Sequence, residues 1–164
     1  MENHKHKLLK QVALRWVRSV GCVVFACEVR WYFCGIPDVV GIKASGDVYI
    51  VEAKDTRADL CSDFYLTFTP KGRKRTKGMK LESSRDVDFV YYILSDGVDS
   101  RVIPEWIGII DENGRVQRRA KRREISRTGQ NMDKNFKTIA AKLSWLHYGW
   151  VLNGEQEQKE FSLL

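Results

Sequence analysis

Residues 37–54 read PDVVGIKASGDVYIVEAK. Two runs rich in β-branched side chains, 39–42 and 48–53, flank the turn sequence Ala44-Ser45-Gly46-Asp47. That pattern predicts an antiparallel hairpin. Alternation along its second strand puts Glu52 and Lys54 on one face and Ala53 on the other. A turn centred near Ser45 and Gly46 places Asp38 across from residue 53 or 54. Asp38 is then directly or diagonally beside Glu52, within about 5–8 Å.

Working outward, residues 5–20 predict a helix. Leu8, Leu9, Val12, Ala13, Trp16, Val17 and Val20 recur at three-to-four spacing as an apolar stripe, with Lys7, Lys10, Arg15 and Arg18 off it. Gly21 supplies the left-handed stop. The β-rich run 22–29 follows as a strand. After the hairpin comes a helix from 56 to about 66, capped by Asp55 or Thr56 and closed by Pro70. Then come a basic loop at 71–78, a strand at 89–94 ending in Ser95-Asp96-Gly97, and a strand at 106–110 turning at Glu112-Asn113-Gly114. Phe136, Ile139, Ala140, Leu143, Leu146 and His147 keep helical spacing, which predicts a helix over 133–147, and the tail 154–164 reads as frayed. The expected fold is α/β: a mixed central sheet flanked by helices in one domain over 1–164, its core at 5–110.

Composition sets the class. The chain has 164 residues, 43% apolar and 30% charged, which fits a globular protein able to bury its own core. No apolar run approaches the roughly 20 residues of a membrane span. The start, MENHKHK, lacks the apolar stretch of a secretory leader, so a cytoplasmic protein is expected, or one in the host cytoplasm if phage-encoded. The four cysteines, Cys22, Cys27, Cys34 and Cys61, contain no C-x-x-C pair and read as free thiols. Net charge is +7, and the excess is local. Residues 71–80 carry six basic side chains and no acid, and 115–127 carry seven against one, leaving the rest of the chain net acidic. Such segments suit a polyanion, because each neutralised phosphate releases counterions. DNA is the expected partner. Arg73, Lys74, Arg75 and Lys77, with Arg118, Arg119, Lys121, Arg122 and Arg123, are the expected contacts to its backbone, positioning without reading sequence.

The hairpin carries the chemistry. Two carboxylates at one sheet edge repel unless a cation lies between them or one stays protonated. A hard-oxygen site for Mg²⁺ or Mn²⁺ resolves the conflict. The plain alternative is a partly solvated ion pair between Lys54 and Glu52 or Asp38. Against it, the strand leading to Glu52 is apolar, Asp38 stands at the matching place, and the basic segments give phosphate a reason to approach. Trp31, Tyr32 and Phe33 precede Pro37-Asp38 and offer either packing or a base-stacking platform. His4, His6 and His147 do not cluster in sequence and receive no role.

Pro37-Asp38, a gap of 13 residues, then Glu52-Ala53-Lys54 resembles the PD-(D/E)xK nuclease superfamily of restriction-endonuclease-like fold. The likeness runs through 35–41 and 48–54, and the order of elements over 5–110 is similar to its αβββαβ core. It looks most like the small stand-alone nucleases of DNA repair, phage and junction-resolving type. The resemblance implies that Asp38, Glu52 and the Ala53 carbonyl hold the metal and that Lys54 positions the attacking water. It also implies that Glu28 is an upstream catalytic acid and that the products carry 5′-phosphate and 3′-hydroxyl. Where many members place Gln or Lys on the following helix, this chain offers Arg57, Asp59 and Asp63. The expectation is a metal-dependent DNA endonuclease, a homodimer if two strands are to be cut. The alternatives are a non-catalytic DNA-binding or partner-recruiting module of the same fold, and an RNA-directed nuclease.

Overall fold

The structure, a computed structural model, describes residues 4–31, 35–65, 67–69, 72–124, 135–137 and 139, with the backbone alone at 67–69 and 72–74. Helix α1 (His4–Ser19) leads into β1 (Cys22–Cys27), β2 (Val39–Lys43) and β3 (Val48–Lys54). Helix α2 (Arg57–Phe64) and a small two-stranded ribbon, β4 (Thr67–Thr69) with β5 (Gly72–Lys74), come next. Helix α3 (Lys77–Ser83), β6 (Phe89–Leu94), a 3₁₀ turn (Ser100–Val102), β7 (Gly108–Asp111) and β8 (Val116–Arg118) complete the order.

The main sheet has six strands in the order β1-β2-β3-β6-β7-β8. β1, β2 and β3 pair antiparallel, β6 and β7 join parallel to β3, and β8 closes antiparallel. The sheet is therefore mixed, with helices on both faces. Leu9, Ala13, Trp16 and Val17 of α1 pack on Tyr49, Val51, Ala53, Tyr91 and Ile93. Leu60 of α2 and Leu81 of α3 pack on the opposite face, against Val48, Ile50, Val90 and Tyr92. Central strands covered on both sides must be apolar throughout, which is why 48–51 and 89–94 read as unbroken apolar runs. Among the described residues no helix is long and apolar enough to cross a membrane.

The hairpin register differs from the sequence expectation. Val39 pairs with Val51 and Ile42 with Val48, so the next step sets Asp38 against Glu52 rather than residue 53 or 54. The loop is Ala44-Ser45-Gly46 with Gly46 at φ +84°, and Lys43 N donates to Asp47 O at 3.0 Å. A three-residue loop closed by a left-handed glycine centres the hairpin on Ser45.

Three further expectations need correction. The segment 71–78 is not one loop, since it contains β5 and the start of α3. The strand expected at 106–110 begins at Gly108. On α1, Leu8 is exposed while Lys10 is buried. Lys10, Ala13 and Val17 share a helix face, so Lys10 belongs to the buried stripe. Residues 135–137 and 139 are helical. The rest of the helix expected over 133–147, the tail, and Tyr32, Phe33 and Cys34 lie outside the described residues. Trp31 is fully buried, which favours packing over base stacking for this ring.

Candidate functional site

The start of β2, the ends of β1 and β3, the first two turns of α1 and α2 and the first turn of α3 converge on one place. Strand β3 is buried along its whole length, and that includes Glu52, Ala53 and Lys54. Glu52 is wholly inaccessible, on the face that carries Ile50 and Tyr92. Its Oε2 accepts from Lys77 Nζ, and its Oε1 has no hydrogen-bond partner among the described residues. Burial pushes the Glu52 carboxyl up to about 8, with Lys77 opposing that rise and Asp38 adding to it. An orphaned, buried carboxylate oxygen is costly in a low-dielectric setting unless something else binds it.

Asp38 sits just before β2. Its Oδ2 accepts from the Ala53 amide at 2.8 Å, so the second strand of the hairpin pins the carboxylate that precedes the first. Its Oδ1 faces α1, with His6 Nε2 at 3.4 Å and Lys10 Nζ at 3.5 Å. Burial alone would raise the Asp38 carboxyl, but Lys77, the Ala53 amide, His6 and Lys10 together hold it below its ordinary range.

Lys54 is buried and turned toward α2, with Nζ 3.0 Å from Asp63 Oδ2 and 3.3 Å from Asp59 Oδ1. The Tyr92 hydroxyl donates to the same Asp63 oxygen at 2.8 Å. Burial and the Asp63 charge raise Tyr92 well above the usual phenol range, so it remains a donor. Helix α2 begins at its Thr56 cap, whose side chain accepts from Asp59 N. That cap fixes where Asp59 and Asp63, one helical turn apart, meet Lys54.

Glu28 is among the described residues the one non-glycine with positive φ, at +52°. Its amide donates to the Asp38 carbonyl at 3.1 Å, and its Oε1 accepts from Lys10 Nζ at 2.5 Å. Lys10 thus links Glu28 to Asp38. His6 also lies near Asp55 and Asp59, with one ligand atom from each of the three within 4.8 Å of the others.

The structure sets Glu52 in register with Asp38, puts the Ala53 amide on Asp38 and joins Glu28 to Asp38 through Lys10, whereas the Lys54 ammonium turns to the acids of α2. It places the basic residues differently. Lys77, expected on a phosphate-tracking loop, points inward at Glu52. Arg75 donates to Ser83 Oγ at 2.6 Å, and the side chains of Arg73 and Lys74 lie outside the described residues. Arg118 donates to the carbonyls of Ile103, Pro104 and Ile107. Arg122 pairs with Asp47 at 2.7 Å, and Arg123 donates to Glu82 O and stands over the Trp106 ring. Arg119 and Lys121 are exposed. Asp47 marks the turn end of β3, so Arg122 sits roughly 17 Å along the strand from Glu52.

Sequence reasoning missed His6, Lys10 and Tyr92, and it set Lys77 on the DNA backbone rather than on Glu52. The spacing of His6, Lys10, Ala13 and Val17 on one face of α1 was a readable signal. Tyr92 shares parity with the core residues Val90 and Leu94. Nothing local marked Lys77 as inward-facing.

Among the described residues the carboxylates outnumber the ammonium groups around them, and one buried Glu52 oxygen has no partner. Asp38 and Glu52 could therefore hold a hard divalent cation. No protein-family model and no curated protein sequence matches the chain. Its fold is similar to that of a protein of unknown function from Silicibacter pomeroyi, at 14% identity and a TM-score of 0.69, over 91% of this chain and 92% of that one. That likeness speaks to the fold alone.

Proposed function

We propose that the chain is a divalent-metal-dependent endonuclease of the PD-(D/E)xK type that hydrolyses DNA phosphodiester bonds, working in the cytoplasm in repair, recombination or phage DNA processing. The observation that carries this reading is Glu52. A carboxylate wholly out of water, in register with Asp38 and with one oxygen unpartnered among the described residues, is poorly explained by structure alone.

Asp38 and Glu52, with the Ala53 carbonyl, are the residues that would hold Mg²⁺ or Mn²⁺. When bound, the ion supplies positive charge that acidifies water and polarises the phosphate. The chain's own residues do the rest. The Ala53 amide holds Asp38 in one orientation. Asp59 and Asp63, the latter held by the Tyr92 hydroxyl, hold the Lys54 ammonium, which orients the attacking water and offsets charge building on the phosphate. Lys10 keeps Glu28 beside Asp38.

The test is cleavage of labelled duplex, flap, junction and single-stranded DNA, with RNA counterparts, in Mg²⁺ or Mn²⁺ against chelator. Cutting is expected only with metal, and Asp38→Ala and Glu52→Ala should each lower it at least hundredfold. Equal activity in wild type and both variants refutes the reading. A second reading, a non-catalytic nucleic-acid-binding module, draws on the lysines that already neutralise much of the site's charge. It calls for salt-sensitive binding with no turnover under any metal.

A further inference from the structure

Lys77 is the cation of the site that lies outside the hairpin motif and outside α1. It is the first residue of α3, after the Thr76 cap, whose hydroxyl accepts from Met79 N at 3.2 Å. The next residue fixes its seat. A Cβ added to Gly78 would stand 2.8 Å from Phe64 Cδ1 and 2.9 Å from the Asp63 carbonyl oxygen. The start of α3 is thus pressed directly onto the end of α2, and from there the Lys77 side chain reaches Glu52 Oε2.

The three ammonium groups divide the acids between them. Lys54 takes Asp59 and Asp63, and Lys10 takes Glu28 and Asp38. Lys77 takes Glu52. Lys77 is also the strongest positive influence on Asp38, although no direct ion pair joins the two. Asp38 and Glu52 stand opposite one another at the end of the hairpin, so an ammonium on Glu52 Oε2 lies where a cation shared by the two would act. A divalent ion and an ammonium cannot both occupy that position without strong repulsion.

We propose that Lys77 is a resident counter-cation that competes with the divalent ion for Glu52, so that metal binds only as this ammonium leaves the carboxylate. The inference rests on the nuclease reading of the same site. The lysine stem is long and flexible, so the head group can leave while α3 stays seated. The released ammonium remains tethered beside the carboxylates, where a substrate phosphate is its natural new partner. Metal and phosphate then favour one another's binding, because each is helped by the same displaced charge.

Calorimetric titration of the full chain with MnCl₂ tests this directly. Lys77→Gln, which keeps a polar side chain without the charge, should bind Mn²⁺ at least tenfold tighter than wild type. Lys77→Arg, which keeps the charge, should bind about as wild type does. Equal or weaker binding by Lys77→Gln, with wild type still taking up Mn²⁺, overturns the competition and leaves the nuclease reading standing. No uptake by any of the three proteins overturns both.

A measurement on the wild-type protein guards against a variant that fails to fold. Acetylation by acetic anhydride, mapped by peptide mass, should become several times faster at Lys77 under saturating Mn²⁺, relative to Lys121 in the same sample. An unchanged Lys77 rate in protein that calorimetry finds loaded with Mn²⁺ overturns the proposal.

Discussion

Glu52 and Asp38 share one site but hold their protons differently. Glu52 is raised to about 8 by burial, whereas Asp38 is lowered because Lys77, the Ala53 amide, His6 and Lys10 outweigh its own burial. Near pH 7 the metal-free protein therefore carries Asp38 charged, while at Glu52 burial favours the protonated form and the Lys77 ammonium favours the carboxylate. A raised carboxyl contributes stability that is full below its unfolded value near 4.5 and gone once the pH has risen through 8. In chelator, the melting temperature of wild type minus that of Glu52→Gln should fall as pH climbs from 5 to 8.5. A flat difference contradicts the raised value. Metal needs the ionised form, so Mn²⁺ affinity should increase up to about pH 8 and binding below that pH should release protons. Calorimetry in buffers of different ionisation enthalpy reads those protons. Glu28 makes a separate prediction from its backbone. At φ +52° a Cβ is unfavourable, so Glu28→Gly should be more stable than Glu28→Ala by about 1 kcal/mol in urea denaturation. Both variants lose the carboxylate from Lys10, so both should lose activity alike.

The elements show how a short helix can complete a site. Helix α3 has seven residues, and its start is fixed by the Thr76 cap and the close seat of Gly78 on α2. Gly78→Ala would force its new methyl into the Phe64 ring and the Asp63 carbonyl. It should cost about 1–3 kcal/mol in chemical denaturation. It should also shift Mn²⁺ affinity, because Lys77 and Asp63 both move, whereas Thr76→Ala should cost about 1 kcal/mol as a lost cap. The same comparison explains what was legible beforehand. The hairpin, α1, α2 and β6 announce themselves by periodicity, and Asp38, Glu52 and Lys54 follow from strand alternation. The register lies one to two residues from the sequence expectation because Gly46 adopts the left-handed conformation and closes a three-residue loop. The basic loop expected at 71–78 overlaps the start of helix α3, and nothing in 79–83 announces the rest of it, because a glycine and three charges leave this seven-residue element little apolar periodicity. Lys77 was assigned outward for that reason: its direction is set by tertiary contact with α2, which no local pattern encodes.

At the scale of the molecule, the described residues of the two basic segments give less free positive surface than their composition implies. Lys77 faces Glu52, Arg75 is bound to Ser83, and Arg122 and Arg123 are engaged with Asp47 and with Glu82 and Trp106. Arg118 closes the loop before β7 by serving three carbonyls. Arg119 is exposed, and Lys121 is exposed beside an equally exposed Glu105 at 3.6 Å, a solvated pair of little energetic weight. The two kinds of arginine should therefore separate by experiment. Arg118→Ala leaves carbonyl groups without their donor and should cost about 1–3 kcal/mol of stability. The double variant Arg119→Ala/Lys121→Ala should melt within a degree or two of wild type. Its loss should appear in polyanion binding, measured by fluorescence anisotropy of a labelled duplex in chelator across a salt series. Each phosphate contact contributes a slope of about 0.9 in log affinity against log salt, so losing both should flatten the slope by roughly 2. The same variant should leave cleavage at saturating DNA unchanged, because these side chains lie on the segment whose neighbour Arg122 is anchored at the far end of β3. A slope equal to wild type would mean that DNA approaches without crossing this segment, and that the path to Glu52 runs over α1 and the β4–β5 ribbon instead.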